Sequence, residues 1–399
     1  MSTNTAPPPT PPIDPIEASL LHRTLLFTNA LQSLPIAAVT LSFGLDALVV
    51  IFAWSSQHDF TTSLLAGAAL IAAAAIQWAL LAALPRTGRS FGPDKPPALA
   101  LAAFEALVLI ALAVLAAPLW LGVFVLVVIL LGAFYATWIE PFRLQVTRQI
   151  FAANEWDAHT PPLKLLHIGD IHVERISPRE RRLNQLVKQL QPDLILFSGD
   201  FVSLSYTYDP DALQAIRSVI SEWRAPLGVY AVPGTPLVEP SERVAEFVKD
   251  IDTIKLLTDQ WASVGTPGGK LHILGMTTTH QLDVDREAFQ KVLPLMPSDG
   301  LKLMLRHSPG IAPEADAAGF DLYLCGHTHG GQIRLPLIGA LMTSSETGRR
   351  FVIGRYRLHR LTLYVTRGVG MEGMGAPRAR FLCPPEIVLW EIRGSRERH

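Results

Sequence analysis

The chain has 399 residues, with 34 Lys and Arg against 35 Asp and Glu for a formal net charge of −1. That balance excludes a global field for capturing nucleic acid, and two cysteines, Cys325 and Cys383, exclude a disulfide framework. The length allows two or three domains, and charge is unevenly spread: residues 35–138 almost lack it, while the remainder has the composition of a water-soluble protein.

In chain order, the Pro- and Thr-rich start MSTNTAPPPTPPIDP has no apolar run. It marks residues 1–34 as a disordered tail without a cleavable signal. Four apolar runs follow at 35–54, 63–84, 98–117 and 119–138. Each is close to the ~20 residues a helix needs to cross a bilayer, so an all-α four-helix transmembrane domain is expected. Pro118 marks a tight turn between the last two runs. Trp54, Trp120 and Trp138 fall at run ends, where an interfacial aromatic belt is expected. Arg23, Arg86, Arg89, Lys95, Arg143 and Arg148 all flank the same ends of the runs, while SSQHDFTT and the Pro118 turn carry no Lys or Arg. The positive-inside rule then puts both termini and the following domain in the cytoplasm. Asp46, Gln77 and Glu105 are polar groups inside the runs. Such groups pair within a bundle, reach toward an end, or serve a function.

Residues 139–159 are expected as a linker, read either as a segment on the membrane surface or as a first strand. From residue 160 strands alternate with helices: KLLHIGD and SPRERRLNQLVKQL, DLILFSGDF and DALQAIRSVISEW, GVYAVPG and SERVAEFVKD, then KLHILGMT, REAFQKVL, LKLMLRH and DLYLCGH. This is an α/β pattern whose ligand site lies beyond strand C-termini. LTLYVTRG and EIVLWEI lack an intervening helix, which predicts a mixed sheet or two packed sheets. Cys325 and Cys383 lie in apolar strand-like contexts and are expected as buried thiols. The end, 394–399, reads as a charged tail.

The strand ends carry a common chemistry. The first gives Asp170 and His172, the second Asp200, LKLMLRH gives His307, and DLYLCGHTHGGQ gives His327 and His329. Alternate residues of an extended segment share a side, so each Asp-x-His or His-x-His pair can converge. Imidazoles mixed with carboxylates suit Mn, Fe, Zn or Co.

The order D-x-H, G-D, a later H, then G-H-x-H resembles the calcineurin-like metallophosphoesterase family, in particular its membrane-associated bacterial phosphodiesterase branch. The resemblance covers about 160–393 and leaves the apolar runs outside it. It implies a four-layer αββα sandwich and two divalent metal ions at the sheet edge. It also implies Asp170, His172 and His329 on the first metal, Asp200 bridging, and His307 and His327 on the second. It implies hydrolysis of a phosphoester by metal-activated water, with Asp200 and His172 central to catalysis and with Arg306 and Arg367 as candidates for binding phosphate oxygens. The family's Gly-Asn-His motif is replaced here by Gly234-Thr235-Pro236. Thr235 offers a hydroxyl as a weak ligand, and Pro236 offers no proton-transfer group. General-acid catalysis is worth ~10²–10⁴-fold, so His280, Glu239 and His359 are considered as substitutes without a placement.

Three functions follow. The first is a membrane-anchored phosphoesterase, of phosphodiesterase or pyrophosphatase type, acting on a phosphorylated small molecule or a lipid-linked phosphate at the bilayer. The second is a non-catalytic metal or phospholipid binder. The third is a transporter or sensor seated in the apolar helices.

Overall fold

The computed structural model describes residues 20–343, 345–375 and 377–396. Residues 1–19 of the expected tail and 397–399 of the expected C-terminal tail lie outside it. Within the N-terminal segment, Leu20–Ala30 forms a helix, α1, which corrects the disordered reading of residues 20–30.

The apolar runs become α2 (Ile36–Trp54), α3 (Phe60–Arg86), α4 (Lys95–Val114) and α5 (Leu119–Phe134). All four, the last with its continuation to Phe142, are long and apolar enough to cross a membrane. Asp59 caps α3 by accepting from the Thr62 amide at 3.0 Å. The faces between the helices carry small residues, including Ala47, Ala66, Ala73, Ala106 and Ala113. Small residues let apolar helices approach where lipid removes the hydrophobic gain of association. Gln77 Nε2 donates to Glu105 Oε1 at 2.6 Å in the buried interior of the bundle. Trp54 does not join an interfacial belt: it is fully buried, and its indole N–H donates to the Leu109 carbonyl at 3.0 Å. Trp120 is exposed as a belt residue would be.

The soluble half begins with β1 (Gln145–Asp157), an edge strand: of the two readings of residues 139–159, the first strand holds over that range, and the linker assignment is corrected there. It is followed by β2 (Leu163–Ile168), α6 (Pro178–Leu190), β3 (Leu194–Phe197), α7 (Pro210–Ile220), β4 (Val229–Ala231), α8 (Ser241–Val248) and β5 (Ile254–Leu256). Next come β6 (Gln260–Gly265), β7 (Lys270–Met276), α9 (Leu282–Val292), β8 (Leu301–Arg306), α10 (Ala312–Ala317) and β9 (Leu322–Cys325). A small ribbon, β10 (Arg334–Leu335) with β11 (Gly339–Ala340), precedes β12 (Gly354–Arg357), β13 (Thr362–Val365) and β14 (Glu386–Arg396). The strand β14 runs through residues 394–396, which corrects that part of the tail expectation.

Two six-stranded sheets result, ordered β1-β14-β2-β3-β4-β5 and β12-β13-β9-β8-β7-β6. Period-two alternation builds the layers. Leu165, Leu194, Leu196, Leu303 and Leu305 point between the sheets into one core. Their neighbours Leu166, Ile195 and Phe197 face the side of α6, α7 and α8, and Met304 faces that of α9 and α10. The order is helix, sheet, sheet, helix: an αββα sandwich after an all-α helical region. The two Cys residues are buried free thiols.

The two halves are joined by specific bonds. Buried Glu140, just after α5, accepts the amides of Leu382 and Cys383. The Arg380 amide donates to the Ala136 carbonyl at 2.9 Å. The α3–α4 loop reaches the sandwich as well, where the Phe91 amide donates to Glu174 Oε2 at 3.1 Å.

Candidate metal centre

The central strands β2, β3 and β4 of one sheet run parallel, as do β7, β8 and β9 of the other. Their C-terminal ends therefore open on one edge of the sandwich. Asp170 and His172 follow β2, Asp200 follows β3, Thr235 follows β4, His307 follows β8, and His327 and His329 follow β9. All of these seven side chains are buried. Asp170, His172, Asp200, His327 and His329 each have positive φ, between 39° and 73°. Left-handed backbone is costly for such residues and concentrates at functional sites.

Asp170, His172, Asp200 and His329 form one group whose ligand atoms lie within 4.8 Å of one another. His172 Nε2 is 2.9 Å from His329 Nε2 and 3.4 Å from Asp200 Oδ2. Beside them, His307 Nε2 is 3.2 Å from Asp200 Oδ2 and 3.2 Å from His327 Nδ1. Thr235 Oγ1 also lies 3.2 Å from His307 Nε2. The structure thus brings all six motif residues and Thr235 to one point, with Asp200 between the two subsets.

The remaining polar atoms orient these groups. His307 Nδ1 donates to the Ser198 carbonyl at 2.8 Å, which fixes the ring with Nε2 toward Asp200. His172 Nδ1 is 3.0 Å from the Val202 carbonyl and 2.8 Å from Glu372 Oε2. The Thr235 amide donates to Asp200 Oδ1 at 2.8 Å, and the His327 amide to Asp170 Oδ1 at 2.8 Å. Glycine is required beside both carboxylates. A Cβ on Gly326 would sit 1.9 Å from Asp170 Oδ2, and one on Gly234 would sit 2.0 Å from Asp200 Oδ1.

Burial opposes ionisation of Asp200, but His307 and His172 outweigh it and hold the carboxyl far below the usual range. Burial pushes Asp170 up to about 6. Burial lowers His327 to about 3 and takes His329 well below its ordinary value, which keeps both imidazoles neutral and able to ligate. Asp170 Oδ2 and His329 Nδ1 are buried without a hydrogen-bond partner. Buried polar atoms of this kind ordinarily find a partner, and converging carboxylate and imidazole donors fit divalent cations of the Mn, Fe, Zn and Co type. The residues present therefore fit a metal centre.

Other expected residues lie elsewhere. Arg306 is fully buried, and its guanidinium bonds Asp285, Ser308 and the Thr277 carbonyl. Arg367 pairs with Glu386 at 2.6 Å. These bonds correct their reading as phosphate contacts. His359 is exposed and pairs with Asp316, away from the centre. Glu239 lies behind the Thr235 loop and accepts the Gly234 amide at 2.8 Å. Burial pushes its carboxyl up to about 8, and the charge of Asp200 pushes the same way. Glu372, which contacts His172, had no sequence signal beyond a glycine-rich stretch after β13.

A cavity of about 250 Å³ opens over the centre, with Asp200, His327, His329 and Glu372 at its polar end. Leu25 of α1, Leu237, Ile333, Met374 and Pro377 line the rest. A second cavity among α3, α4 and α5 is lined by Leu81, Leu101, Leu130 and Phe134, and it shares Ile333, Pro377 and Ala379 with the first.

Residues 163–331 match the model of the calcineurin-like phosphoesterase family. Among curated proteins, Phosphodiesterase YaeI of Escherichia coli K12 is 28% identical over 266 residues, covering 65% of this chain and 93% of that protein. The uncharacterized metallophosphoesterase YkuE of Bacillus subtilis is 25% identical over 270 residues, 66% of this chain and 91% of that one. UDP-2,3-diacylglucosamine pyrophosphatase LpxG of Chlamydia trachomatis is 25% identical over 311 residues, 64% of this chain and 91% of that one.

Proposed function

The chain belongs to the calcineurin-like phosphoesterase family through its soluble domain, and we propose that it is a membrane-anchored, metal-dependent hydrolase of a lipid-linked phosphoester or diphosphate. The observation that carries the lipid reading is that the two cavities are neighbours with three lining residues in common. The polar end of the upper one is formed by candidate metal ligands. On its apolar side Ile333, Pro377 and Ala379 also line a groove between helices apolar enough to cross a bilayer. A substrate with a phosphate at one end and an acyl chain at the other matches both ends. The similarity to LpxG, named for a diacylated sugar nucleotide, supports the same class.

In this reading Asp170, His172 and His329 hold one divalent ion, His307 and His327 hold a second, and Asp200 serves both. Bound there, such ions supply Lewis-acid stabilisation of phosphoryl oxygens and lower the pKa of water. The protein's own part is positioning. Val202 and Glu372 fix the His172 ring, Ser198 fixes His307, and the backbone amides of Thr235 and His327 fix the two aspartates. Pro236 cannot donate a proton to a leaving group. A diphosphate suits such a site, because its leaving phosphate departs as a stable anion without full protonation.

The domain is proposed to lie on the cytoplasmic face. The basic residues that flank the helices occur at the ends that join or touch the sandwich: the α3–α4 loop that carries Arg89 reaches it where the Phe91 amide donates to Glu174 Oε2 at 3.1 Å, and the positive-inside rule assigns that end.

The test is hydrolysis by the full chain in detergent micelles, with Mn²⁺ and either an acylated diphosphate or bis(p-nitrophenyl) phosphate. Asp200→Asn is expected to lower turnover of both by more than ~100-fold, since even partners outside the first ligand layer cost 10–100-fold. Undiminished turnover by that variant would move the chemistry elsewhere. Tight Mn²⁺ binding by the wild type without turnover would favour the binding-protein reading.

A further inference from the structure

The Thr235-Pro236 loop leaves the second ion of the proposed centre short of a ligand. Asp200, His307 and His327 converge there, and the only further group from the loop is the Thr235 hydroxyl, a weak donor for a divalent cation. One more imidazole reaches the same point from an unexpected direction. His280 follows β7, outside the residues that carry the family pattern, and is buried. Its Nε2 lies 3.4 Å from Thr235 Oγ1, which is itself 3.2 Å from His307 Nε2. Its ring centroid is 4.5 Å from that of His327. Its other nitrogen, Nδ1, is 3.5 Å from Glu346 Oε2. His280, His327 and Glu346 each offer a ligand atom within 4.8 Å of the others.

The surroundings hold His280 in place. The Thr279 amide and hydroxyl donate to Asp285 Oδ1 at 2.9 and 2.8 Å, which anchors the turn that delivers His280. Glu346 Oε1 accepts from Ser308 Oγ at 2.5 Å. His280 has φ 59°, like the left-handed Asp and His residues of the centre. The arrangement has the outline of a metal-ligating histidine, with one ring nitrogen facing the ligand cluster and the other facing a carboxylate, although the 3.5 Å between His280 Nδ1 and Glu346 Oε2 is not a formed hydrogen bond.

We propose that His280 Nε2 is the replacement ligand of the second divalent cation, standing in for the amide absent from the Thr235-Pro236 loop, with Glu346 as its orienting carboxylate. The inference rests on the metal-centre reading above and adds a ligand to it.

The test counts metal directly. The full chain in detergent is stripped with a chelator, re-equilibrated with graded Mn²⁺, and analysed for bound manganese. The wild type is expected to take up two equivalents. His280→Ala is expected to keep one at Mn²⁺ concentrations that saturate the wild type, the retained ion reporting an intact first site. Glu346→Gln is expected to bind the second equivalent 10–100-fold more weakly. Thr235→Ala is expected to retain two. Adding Thr235→Asn to His280→Ala supplies an amide and is expected to restore the second equivalent.

Two equivalents at wild-type affinity in His280→Ala would overturn the proposal. So would loss of the second ion from Thr235→Ala alone, which would make the hydroxyl the ligand. If His280→Ala and the double variant both bind no manganese, His280 supports the fold rather than the metal, and the proposal falls. A wild-type chain that binds no manganese sinks the metal-centre reading itself, a result distinct from any of these.

Discussion

Arg306 ends β8 immediately before His307, yet its guanidinium is wholly committed to the protein. Its Nε donates to the Thr277 carbonyl at 3.0 Å, Nη1 to Ser308 Oγ at 2.8 Å, and Nη2 to Asp285. Both members of the Arg306–Asp285 pair are buried. Removing one partner of such a pair leaves an uncompensated charge and costs roughly 3–5 kcal/mol. Arg306→Leu is therefore expected to lower the stability of the detergent-solubilised chain by about that amount in thermal or denaturant unfolding. A variant of normal stability with a raised KM would instead put Arg306 on the substrate. The same contrast explains what was legible residue by residue. Asp170, His172, Asp200, His307, His327 and His329 stood out because each ends an apolar run, where an α/β sheet presents ligand groups. Arg306 sits in the same place, but burial and pairing are tertiary facts that its neighbours in sequence do not announce. His280, Glu346 and Glu372 reach the centre on loops without periodicity, so only the folded chain brings them there.

At the level of elements, the period-two and helical patterns marked α2–α10 and the strands β2, β3, β4, β7, β8, β9, β13 and β14 but not α1 or the shorter strands β5, β6, β10, β11 and β12, and the two strands without an intervening helix pointed to a mixed architecture. Position within a sheet was less accessible. β1 pairs in parallel with β14, more than two hundred residues away in sequence, so nothing local identified 145–157 as an edge strand. Trp54 was misplaced for a related reason: a Trp at a run end suits either the bilayer interface or a buried carbonyl, and the Leu109 carbonyl is the partner it found. The connection between β12 and β13 is also held from outside. Asp316 in α10 accepts the amides of Arg360 and Leu361, each at 2.9 Å. Burial pushes the Asp316 carboxyl up, but those amides and His359 outweigh it and bring it down to about 2. A carboxyl depressed below its unfolded value of ~3.9 stabilises the fold above that value, and the contribution disappears as pH falls through the folded value. Unfolding followed from pH 5 to 2 is expected to show wild-type stability falling more steeply between about 4 and 2 than that of Asp316→Asn. Parallel curves would show that Asp316 contributes nothing to the acid response.

For the whole molecule, the decisive feature is that the sandwich is seated on the helices with the edge that carries the candidate metal centre toward them. Glu140 accepting the Leu382 and Cys383 amides, and Arg380 donating to Ala136, fix that seat. Ile333, Pro377 and Ala379 line both the cavity over the candidate metal centre and the groove among α3, α4 and α5. A tether alone would need no apolar groove beside that cavity, whereas an enzyme that draws a lipid from the bilayer would use it to keep the acyl chain in an apolar environment while the phosphate reaches Asp200. Ala133 of α5 lines the groove at a distance in sequence from every candidate ligand. Ala133→Trp would fill space that an acyl chain occupies in this reading. Displacing two methylenes at ~0.8 kcal/mol each weakens binding by about tenfold. The variant is therefore expected to lose roughly tenfold in kcat/KM on a long-chain acylated diphosphate in micelles, while its kcat/KM on bis(p-nitrophenyl) phosphate, which needs only the upper cavity, stays at the wild-type value. Equal loss on both substrates would mean that the substitution disturbs the seat of the sandwich. Unchanged turnover of both would mean that the substrate reaches the metals from the aqueous side, and the helices would then be an anchor only.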